Sequence, residues 1–461
     1  MSETRSSKSI STQIEWIAEL ARKHPARVFS SLHHVIDMAW LKEASKRVRK
    51  DAAVGIDGQS WDEYAVHLQD NLQSLLNRFK AGTYYAPPVR RVHIPKGDGR
   101  TRPIGIPTLE DKILQRAVTM VLQSIYEQDF KECSYGFRPK RSAHDGLQVL
   151  WDGLMKLKGG YVIDADIADF FGTLDRSCLR EFLDQRVTDG VLRKVIDKWL
   201  KAGVMDNGAH VRPESGTPQG GVISPLLANI YLHVVLDEWF ARDVLPRLKG
   251  RAQLVRYADD FVVICEREDD ANEVMAVLPK RLGKYGLTLH PEKTRLVRFK
   301  RPTRRPGEKR GNNDATKPQT FDFLGFTHHW GVSKKNNWYV NRSTAKSRLT
   351  RALERIRVWC RIHRHDAVEE QQQALQRKMR GHYGYYGITG NARGIARYYW
   401  NVTKIWALWL RRRSQRVRGA WDRFSRLDGF LDSTGSAGGW VIRIDQFRSA
   451  RKKNGNRSEE A

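Results

Sequence analysis

The segment Tyr257-Ala258-Asp259-Asp260 places two adjacent carboxylates between two short apolar runs, residues 254–255 and 261–265. Both flanks are rich in β-branched and aromatic residues, which predicts two antiparallel strands joined by a turn at the acids. Two carboxylates at the tip of a stiff hairpin suit a divalent cation such as Mg²⁺, which prefers carboxylate oxygens. Aspartate is also common in solvated turns. The four residues alone therefore leave a metal site and a plain turn equally open.

A second acidic strand is predicted at residues 161–167, where Asp164 and Asp166 alternate with apolar residues. Successive side chains of a strand point to opposite faces, so these two carboxylates share one face. Acids within an apolar strand are costly to bury unless they are paired or bind a metal. The strand is therefore a second candidate acidic site, and spacing alone does not choose between Asp164 and Asp166.

A basic hairpin is predicted from residues 89–95 and 101–107, with Lys96 and Arg102 on either side of its tip. An Arg fork and a Lys point charge are suited to gripping a triphosphate. A solvated basic turn is the other interpretation, and it is the commoner fate of such residues.

A Gly- and Pro-rich loop at residues 212–221 precedes an apolar helix that is predicted to continue through Leu236. Gly220 and Gly221 would let a backbone or a ligand approach closely, although the pattern also fits a simple helix entry. A further strand is predicted at residues 321–326. Helical periodicity marks residues 12–80, 109–128, 175–201, 270–285 and the chain from about residue 342.

The chain has 461 residues and a formal net charge of +29, from 81 Lys and Arg against 52 Asp and Glu. Such an excess repels itself unless a polyanion neutralises it, which indicates a nucleic-acid partner. The 14 Trp and 40% hydrophobic residues indicate large packed domains. In the basic helical region we expect most aromatic residues in the core and the Arg411-Arg412-Arg413 face on nucleic acid.

The four cysteines are far apart and form no CxxC pair, which speaks against zinc fingers and disulfide scaffolds and suits a reducing cytosol. Residues 1–13 lack the apolar core of a signal peptide. The uncharged run at residues 215–236 contains Pro and polar residues, so it is a poor membrane span. We therefore expect a soluble, cytoplasmic protein with no membrane partner and of unassigned oligomeric state.

Several segments follow one another in an order and spacing that indicate a known family. They are Val54-Gly55-Ile56-Asp57-Gly58, Ile94-Pro95-Lys96, Arg102-Pro103-Ile104-Gly105-Ile106-Pro107, Tyr135-Gly136-Phe137-Arg138-Pro139, Asp166-Ile167, Gly216-Thr217-Pro218-Gln219-Gly220-Gly221, Tyr257-Ala258-Asp259-Asp260, Pro291-Glu292-Lys293-Thr294 and Phe323-Leu324-Gly325-Phe326. Over residues 50–330 the chain thereby resembles the group II intron-encoded reverse transcriptase/maturase family.

The resemblance implies an α+β fold, a right-hand polymerase whose fingers and palm carry an antiparallel palm sheet, followed by an α-helical thumb/maturase region. The implied domains are a mainly helical N-terminal extension (1–83), fingers and palm (84–330), the helical thumb/maturase region (331–420) and a short basic tail (421–461). That tail would be a reduced DNA-binding region.

The resemblance also chooses among the acids, because the family's first metal-binding Asp precedes an aromatic residue by five positions. Asp166 and Phe171 fit this spacing. By carry-over, Asp166 and Asp259 would bind two Mg²⁺ ions, with Mn²⁺ as an alternative, and Asp260 would assist as a third catalytic acid. Ile167 is also assigned to the metal site. Phe171 would crowd a ribose 2′-hydroxyl and favour dNTPs over rNTPs.

The implied dNTP site comprises Lys96, Arg102, Ile167, Phe171, Pro218, Gln219, Gly220 and Lys293. Lys96 and Arg102 would hold the triphosphate, and Gln219 would line the pocket. Lys293 would donate a proton to pyrophosphate or contact a phosphate.

The function implied is RNA-directed DNA synthesis coupled to splicing and mobility of an intron. Its partners would be structured intron RNA, an RNA template with a DNA primer, target DNA and dNTPs. No Cys follows Cys360 and no His follows His382, so a zinc-supported HNH endonuclease domain is not expected. The alternatives are a domesticated or defence-associated reverse transcriptase, and an RNA-binding splicing factor without polymerase activity.

Overall fold

The computed structural model describes residues 9–95, 101–206, 209–211, 220–303 and 319–412. Contacts within the chain define two compact units, Met1–Lys300 and Arg301–Ala461. The finer domain boundaries suggested by the sequence, at residues 83, 330 and 420, remain predictions.

The first unit combines helices with two β-sheets, which confirms the predicted α+β class. Its helices are α1 (Ile10–Lys23), α2 (Met38–Lys46), α3 (Trp61–Val66), α4 (Leu68–Lys80), α5 (Leu109–Tyr126), α6 (Ala143–Lys156), α7 (Phe170–Thr173), α8 (Arg176–Asp184), α9 (Gly190–Lys201), α10 (Ser224–Leu232) and α11 (Glu268–Gly283). Its strands are β1 (Val89–Pro95), β2 (Thr101–Ile106), β3 (Tyr161–Ala168), β4 (Val204–Asp206), β5 (Ala209–Val211), β6 (Ala252–Tyr257), β7 (Asp260–Cys265), β8 (Thr288–Leu289) and β9 (Arg295–Arg298).

The palm sheet has the order β6-β7-β3-β8, and β9 also pairs with β3. Every pairing in it is antiparallel, as the resemblance implies. The second sheet has the order β2-β1-β4-β5, in which β1 and β2 form the predicted antiparallel hairpin. Strands β4, β5 and β9 were not expected from the sequence, because each is only three or four residues long.

Helix α5 lies at the centre of the first unit. Leu114, Val118 and Ile125 are apolar residues at helical spacing and are fully buried. Polar residues on its other faces are buried as well, among them Asp111 and Gln115. The helix is therefore enclosed on nearly all sides, which an amphipathic pattern does not predict.

Asp111 is a buried acid held by two donors. The hydroxyl of Tyr84 and the Nε1 of Trp199, at 2.7 Å, both donate to its Oδ1 atom. Removal of the carboxylate from water raises the pKa of Asp111 to about 6, although both hydrogen bonds oppose this shift. Ionisation of Asp111 is thus less favourable in the folded chain than in the unfolded one.

Two predicted helices are divided in the structure. The segment at residues 175–201 breaks into α8 and α9, because Asp189 caps α9 through the amides of Val191 and Leu192. The same carboxylate accepts from the amide of Leu32 at 2.6 Å, which anchors the N-terminal region. The apolar helix expected through Leu236 is α-helical only to the end of α10 and continues as π-helical turns.

The second unit contains a three-stranded sheet and three helices: β10 (Phe321–Phe323), β11 (Phe326–Val332), β12 (Trp338–Thr344), α12 (Lys346–Ile362), α13 (Val368–Tyr386) and α14 (Ala392–Arg411). The single strand predicted at residues 321–326 is a hairpin, because Leu324 and Gly325 both have positive φ, at 49° and 82°. Tyr399 and Trp406 of α14 lie in the helical core, as their spacing predicted.

No helix in the described part of the chain is long and apolar enough to cross a membrane.

Candidate active site

A two-residue turn, Ala258-Asp259, connects β6 to β7 and places the acids at one end of these strands. Tyr257 pairs with Asp260 across this hairpin. Ala258 has a φ of 58°, in the left-handed region that L-residues other than Asn and Asp rarely adopt. Asp259 therefore lies in the turn itself, whereas Asp260 is the first residue of β7.

The pairing of β3 with β7 brings the two acidic segments together. Asp166 and Asp260 are direct cross-strand partners, and Asp164 lies on the same half-buried face as Asp166. Like charges directly opposite each other destabilise a sheet. Positive charge at this face is thus favoured when both carboxylates are ionised.

Lys293 and Arg295 supply positive charge to this face. Lys293 Nζ lies 2.6 Å from an Asp166 carboxylate oxygen, and Arg295 Nε lies 3.2 Å from one of Asp164. The Lys293 side chain is 56% exposed, so it can leave this position without disturbing the core. A hydrogen bond of 2.8 Å from the amide of His290 to the carbonyl of Asp166 fixes the turn that carries Lys293.

Burial and mutual repulsion raise the pKa values of the hairpin acids. Desolvation, followed by the negative charges of Asp164, Asp166 and Asp259, raises the pKa of Asp260 to about 7. Desolvation also raises the pKa of Asp259, and the nearby charges of Arg102 and Lys293 oppose it. Arg102 of the basic hairpin is therefore electrostatically coupled to the acids.

The donor set fits a divalent cation in chemistry and charge. Reverse transcriptases use divalent metals such as Mg²⁺, which carboxylate oxygens bind. Within the described ranges, however, no three acidic, His or Cys side chains converge on one point. Instead, the ammonium group of Lys293 contacts the Asp166 carboxylate, which a bound metal would need. The Ile167 side chain is buried on the opposite face, so only its backbone could serve the site.

Phe171 follows β3 at the point where the chain leaves the sheet. Asp169 has a φ of 41°, and this left-handed residue turns the chain into α7. Phe170 is buried in the core, and the Phe171 ring packs edge-on against it at 5.3 Å between centroids. Phe171 is half-buried and close in sequence to Asp166, as a residue that senses a nucleotide sugar would be.

Gly220, near the end of the Gly- and Pro-rich loop, packs closely against the basic hairpin. It has a φ of 121°, and a Cβ atom there would lie 2.3 Å from the carbonyl oxygen of Gly105 in β2. Only glycine fits this close approach. Lys96, Pro218 and Gln219, predicted for the same nucleotide site, lie outside the described residues.

In the second unit, Arg411 and Arg412 are exposed at the end of α14. The Arg412 guanidinium lies 4.9 Å from the ring centroid of Trp409. Arg413 lies outside the described residues, and the nucleic-acid role of the three stays a prediction.

A buried ion pair beneath the hairpin was not predicted from the sequence. Arg256 is fully buried, and its Nε donates to Asp237 at 2.8 Å. Its Nη1 donates to Asn229 Oδ1 and to the carbonyl of Ala258, both at 3.0 Å, and its Nη2 donates to Asp237. Arg256 is a charge inside an otherwise apolar strand, and that anomaly is the signal that could have identified it.

Comparisons with known proteins show which family the chain resembles. A family model described as reverse transcriptase (RNA-dependent DNA polymerase) matches residues 94–328. Protein YkfC of Escherichia coli (strain K12) is 33% identical over 308 residues, which cover 59% of this chain and 80% of that protein.

Two further relatives carry intron names. The group II intron-encoded protein LtrA of Lactococcus lactis subsp. cremoris is 35% identical over 227 residues, which are 48% of this chain and 37% of that protein. The mitochondrial nuclear intron maturase 2 of Arabidopsis thaliana is 26% identical over 235 residues, which are 42% of this chain and 30% of that protein. The chain thus spans well under half of either protein.

Proposed function

Because this chain belongs to the reverse transcriptase family, and within it to the group II intron-encoded branch, we propose that it extends a DNA primer with dNTPs on an RNA template. The observation that carries this proposal is the cross-strand pairing of Asp166 with Asp260 directly beside the Asp259 turn. Two acids on adjacent strands, with a third in the neighbouring turn, give this end of the sheet a negative charge that a folding role does not require.

In this proposal Asp166 and Asp259 bind two Mg²⁺ ions, and Asp260 contributes charge to the same site. When bound, the ions stabilise the charge that develops on the attacking 3′-oxygen and on the leaving oxygen of an in-line displacement. Arg102, coupled to Asp259, neutralises the triphosphate together with Lys96. Most of the protein's contribution is then positioning and electrostatics, as for phosphoryl transfer generally.

Lys293 has two positions in this scheme. Without nucleotide it neutralises Asp166 through the 2.6 Å contact. With cations held by Asp166, the exposed ammonium would be free to turn toward the phosphates, where it would contact the leaving pyrophosphate or protonate it. The flexible four-carbon stem of Lys permits this exchange.

The wider role we propose is binding of a structured group II intron RNA, assistance to its splicing, and copying of the intron into target DNA. The intron-related relatives and the exposed Arg411 and Arg412 support this role. Basic helical surfaces bind RNA mainly through phosphates, with a steep dependence on salt.

Extension of oligo(dT) on poly(rA) with Mg²⁺ tests the polymerase proposal. We expect Asp259→Asn to lose at least about 100-fold in activity, as when one transition-state-stabilising group is removed. Asp152→Asn, the same change at an exposed helix position, is the matched control and should be fully active. RNA binding without Asp259-dependent DNA synthesis would instead favour a splicing factor that lacks polymerase activity.

A further inference from the structure

Phe137 is an exposed aromatic residue in a strained backbone conformation. Its side chain is 61% exposed, and its φ is 58°. A bulky residue in the left-handed region is an outlier that persists only when its surroundings impose it. Neither burial nor backbone preference therefore explains a Phe at this position.

The loop that carries Phe137 is locked in place on both sides. The amide of Tyr135 donates to the carbonyl of Arg256 at 2.9 Å, and Asn229 Nδ2 donates to the carbonyl of Gly136 at 2.8 Å. Arg138 is buried and donates to the carbonyl of Ser134 at 2.9 Å. Phe137 is thus an exposed ring on a rigid support.

The same loop is pressed against the acidic hairpin. A Cβ atom at Gly136 would lie 2.4 Å from the amide nitrogen of Ala258, so no larger residue fits there. The ring of Phe137 lies 6.3 Å from that of Tyr257, between centroids. Tyr257 is half-buried and precedes the Ala258-Asp259 turn. Two aromatic rings therefore adjoin the acids.

We propose that Phe137, with Tyr257, forms a platform for the sugar and base edge of the last nucleotides of the primer strand. This inference rests on the proposed function, in which the primer's 3′-hydroxyl must reach Asp259. A primer strand whose 3′ end reaches Asp259 would pass beside Tyr257. The ring of Phe137, which is fixed next to Tyr257, would then adjoin the terminal nucleotides of that primer. Aromatic faces bind nucleotides without regard to sequence.

The charge of the loop favours nucleic acid as the occupant. Within residues 134–141, Arg138 and Arg141 are paired with Glu127 and Glu132, and the exposed Lys140 adds a positive charge. A platform for a basic peptide would need acids, whereas the phosphates that flank a terminal nucleotide are attracted to Lys140. Phe137 is accordingly a positioning residue that sets the primer end and does not touch the reacting phosphate.

Phe137→Gly separates this role from a structural one. Glycine adopts the left-handed conformation freely, so we expect the melting temperature to change by no more than ~2 °C. The KM for primer–template should rise roughly five- to tenfold, with kcat changed much less. Phe137→Tyr should restore the KM. Tyr85→Gly removes an equally exposed aromatic residue, 67% exposed, and should leave the KM unchanged.

A binding measurement makes the inference independent of polymerisation. A DNA primer with 2-aminopurine at its 3′ end, annealed to RNA, is bound in Ca²⁺ without dNTPs. Wild type should hold the terminal base stacked and quenched, and Phe137→Gly should let it fray and fluoresce. If Phe137→Gly proves less stable than expected, Phe137→Asn, which also tolerates positive φ, replaces it.

The outcomes distinguish the two proposals. Unchanged fluorescence and KM in Phe137→Gly, or an equal loss in Tyr85→Gly, would overturn the platform even if the enzyme is a polymerase. A wild-type chain that makes no DNA but shows Phe137-dependent stacking would overturn the polymerase proposal and retain the platform.

Discussion

The buried pair of Arg256 and Asp237 can be tested for its effect on both stability and activity. Both side chains are fully buried, and Arg256 makes further hydrogen bonds to Asn229 and to the carbonyl of Ala258. Asp237→Asn leaves the guanidinium in the core without a counter-charge. Breaking a buried pair in this way costs about 3–5 kcal/mol, a large part of a typical unfolding free energy.

Replacing both charges separates positioning from stability. In Arg256→Met with Asp237→Leu, two apolar side chains fill the space, and such exchanges are often neutral or stabilising. We expect urea unfolding of this double variant to recover most of the stability that Asp237→Asn loses, less the cost of the donor that Asn229 Oδ1 and the carbonyl of Ala258 no longer have. Its polymerase activity should nevertheless fall roughly 10- to 100-fold, as when groups that orient metal ligands are removed.

The reasoning depends on the bond from Arg256 to the carbonyl of Ala258, which holds the turn that carries Asp259. The assay is primer extension over a range of Mg²⁺ concentrations, and the double variant should need more Mg²⁺ for half-maximal rate. A double variant that is stable and also fully active, with an unchanged Mg²⁺ requirement, would refute the positioning role.

Four other perturbations have defined outcomes. Phe171→Ala should relax discrimination against rNTPs in single-nucleotide incorporation, and unchanged discrimination would mean that another residue excludes the 2′-hydroxyl. Lys293→Ala should lower the Mg²⁺ concentration for half-maximal rate, because its competing ammonium is gone, while kcat falls. Arg411→Ala and Arg412→Ala should each reduce the slope of log K against log salt for RNA by about 1 in filter binding. Asp111 has a folded pKa above its unfolded value, so this group lowers the stability of the wild type by about 3 kcal/mol as pH rises from about 4 to about 6. Asp111→Asn should remove that contribution, so urea unfolding of the variant should lose less stability than wild type over this pH range.

The sequence was most informative where a local pattern determines structure. Period-two alternation predicted β3 and the sharing of one face by Asp164 and Asp166, and apolar flanks predicted the hairpin at Asp259. The choice of Asp166 needed the family's spacing, because Asp164 has the same periodicity. Contacts within the chain show the two acids in different surroundings, with Lys293 on Asp166 and Arg295 on Asp164.

Two of the features that the sequence did not predict depend on residues distant in the chain, and a third depends on an unusual backbone conformation. The register of Asp166 against Asp260 is set when β3 and β7 pair across more than ninety residues. The partner of Arg256, Asp237, lies on a π-helical turn, one residue beyond the end of the helix predicted through Leu236. The turn at Leu324 requires a left-handed leucine, which no propensity rule favours.

The packing of the palm explains why its acids are held together despite their repulsion. On the core face of β3, Ile163, Ala165 and Ile167 are buried, and each large apolar side chain contributes about 1.5–3 kcal/mol. Opposed like charges in a cross-strand pair disfavour the sheet by up to about 1 kcal/mol. A slip of one residue would expose the apolar face, so repulsion between Asp166 and Asp260 is too weak to change the register. The apolar face thus fixes the acidic face, and cation binding relieves a repulsion that the fold imposes.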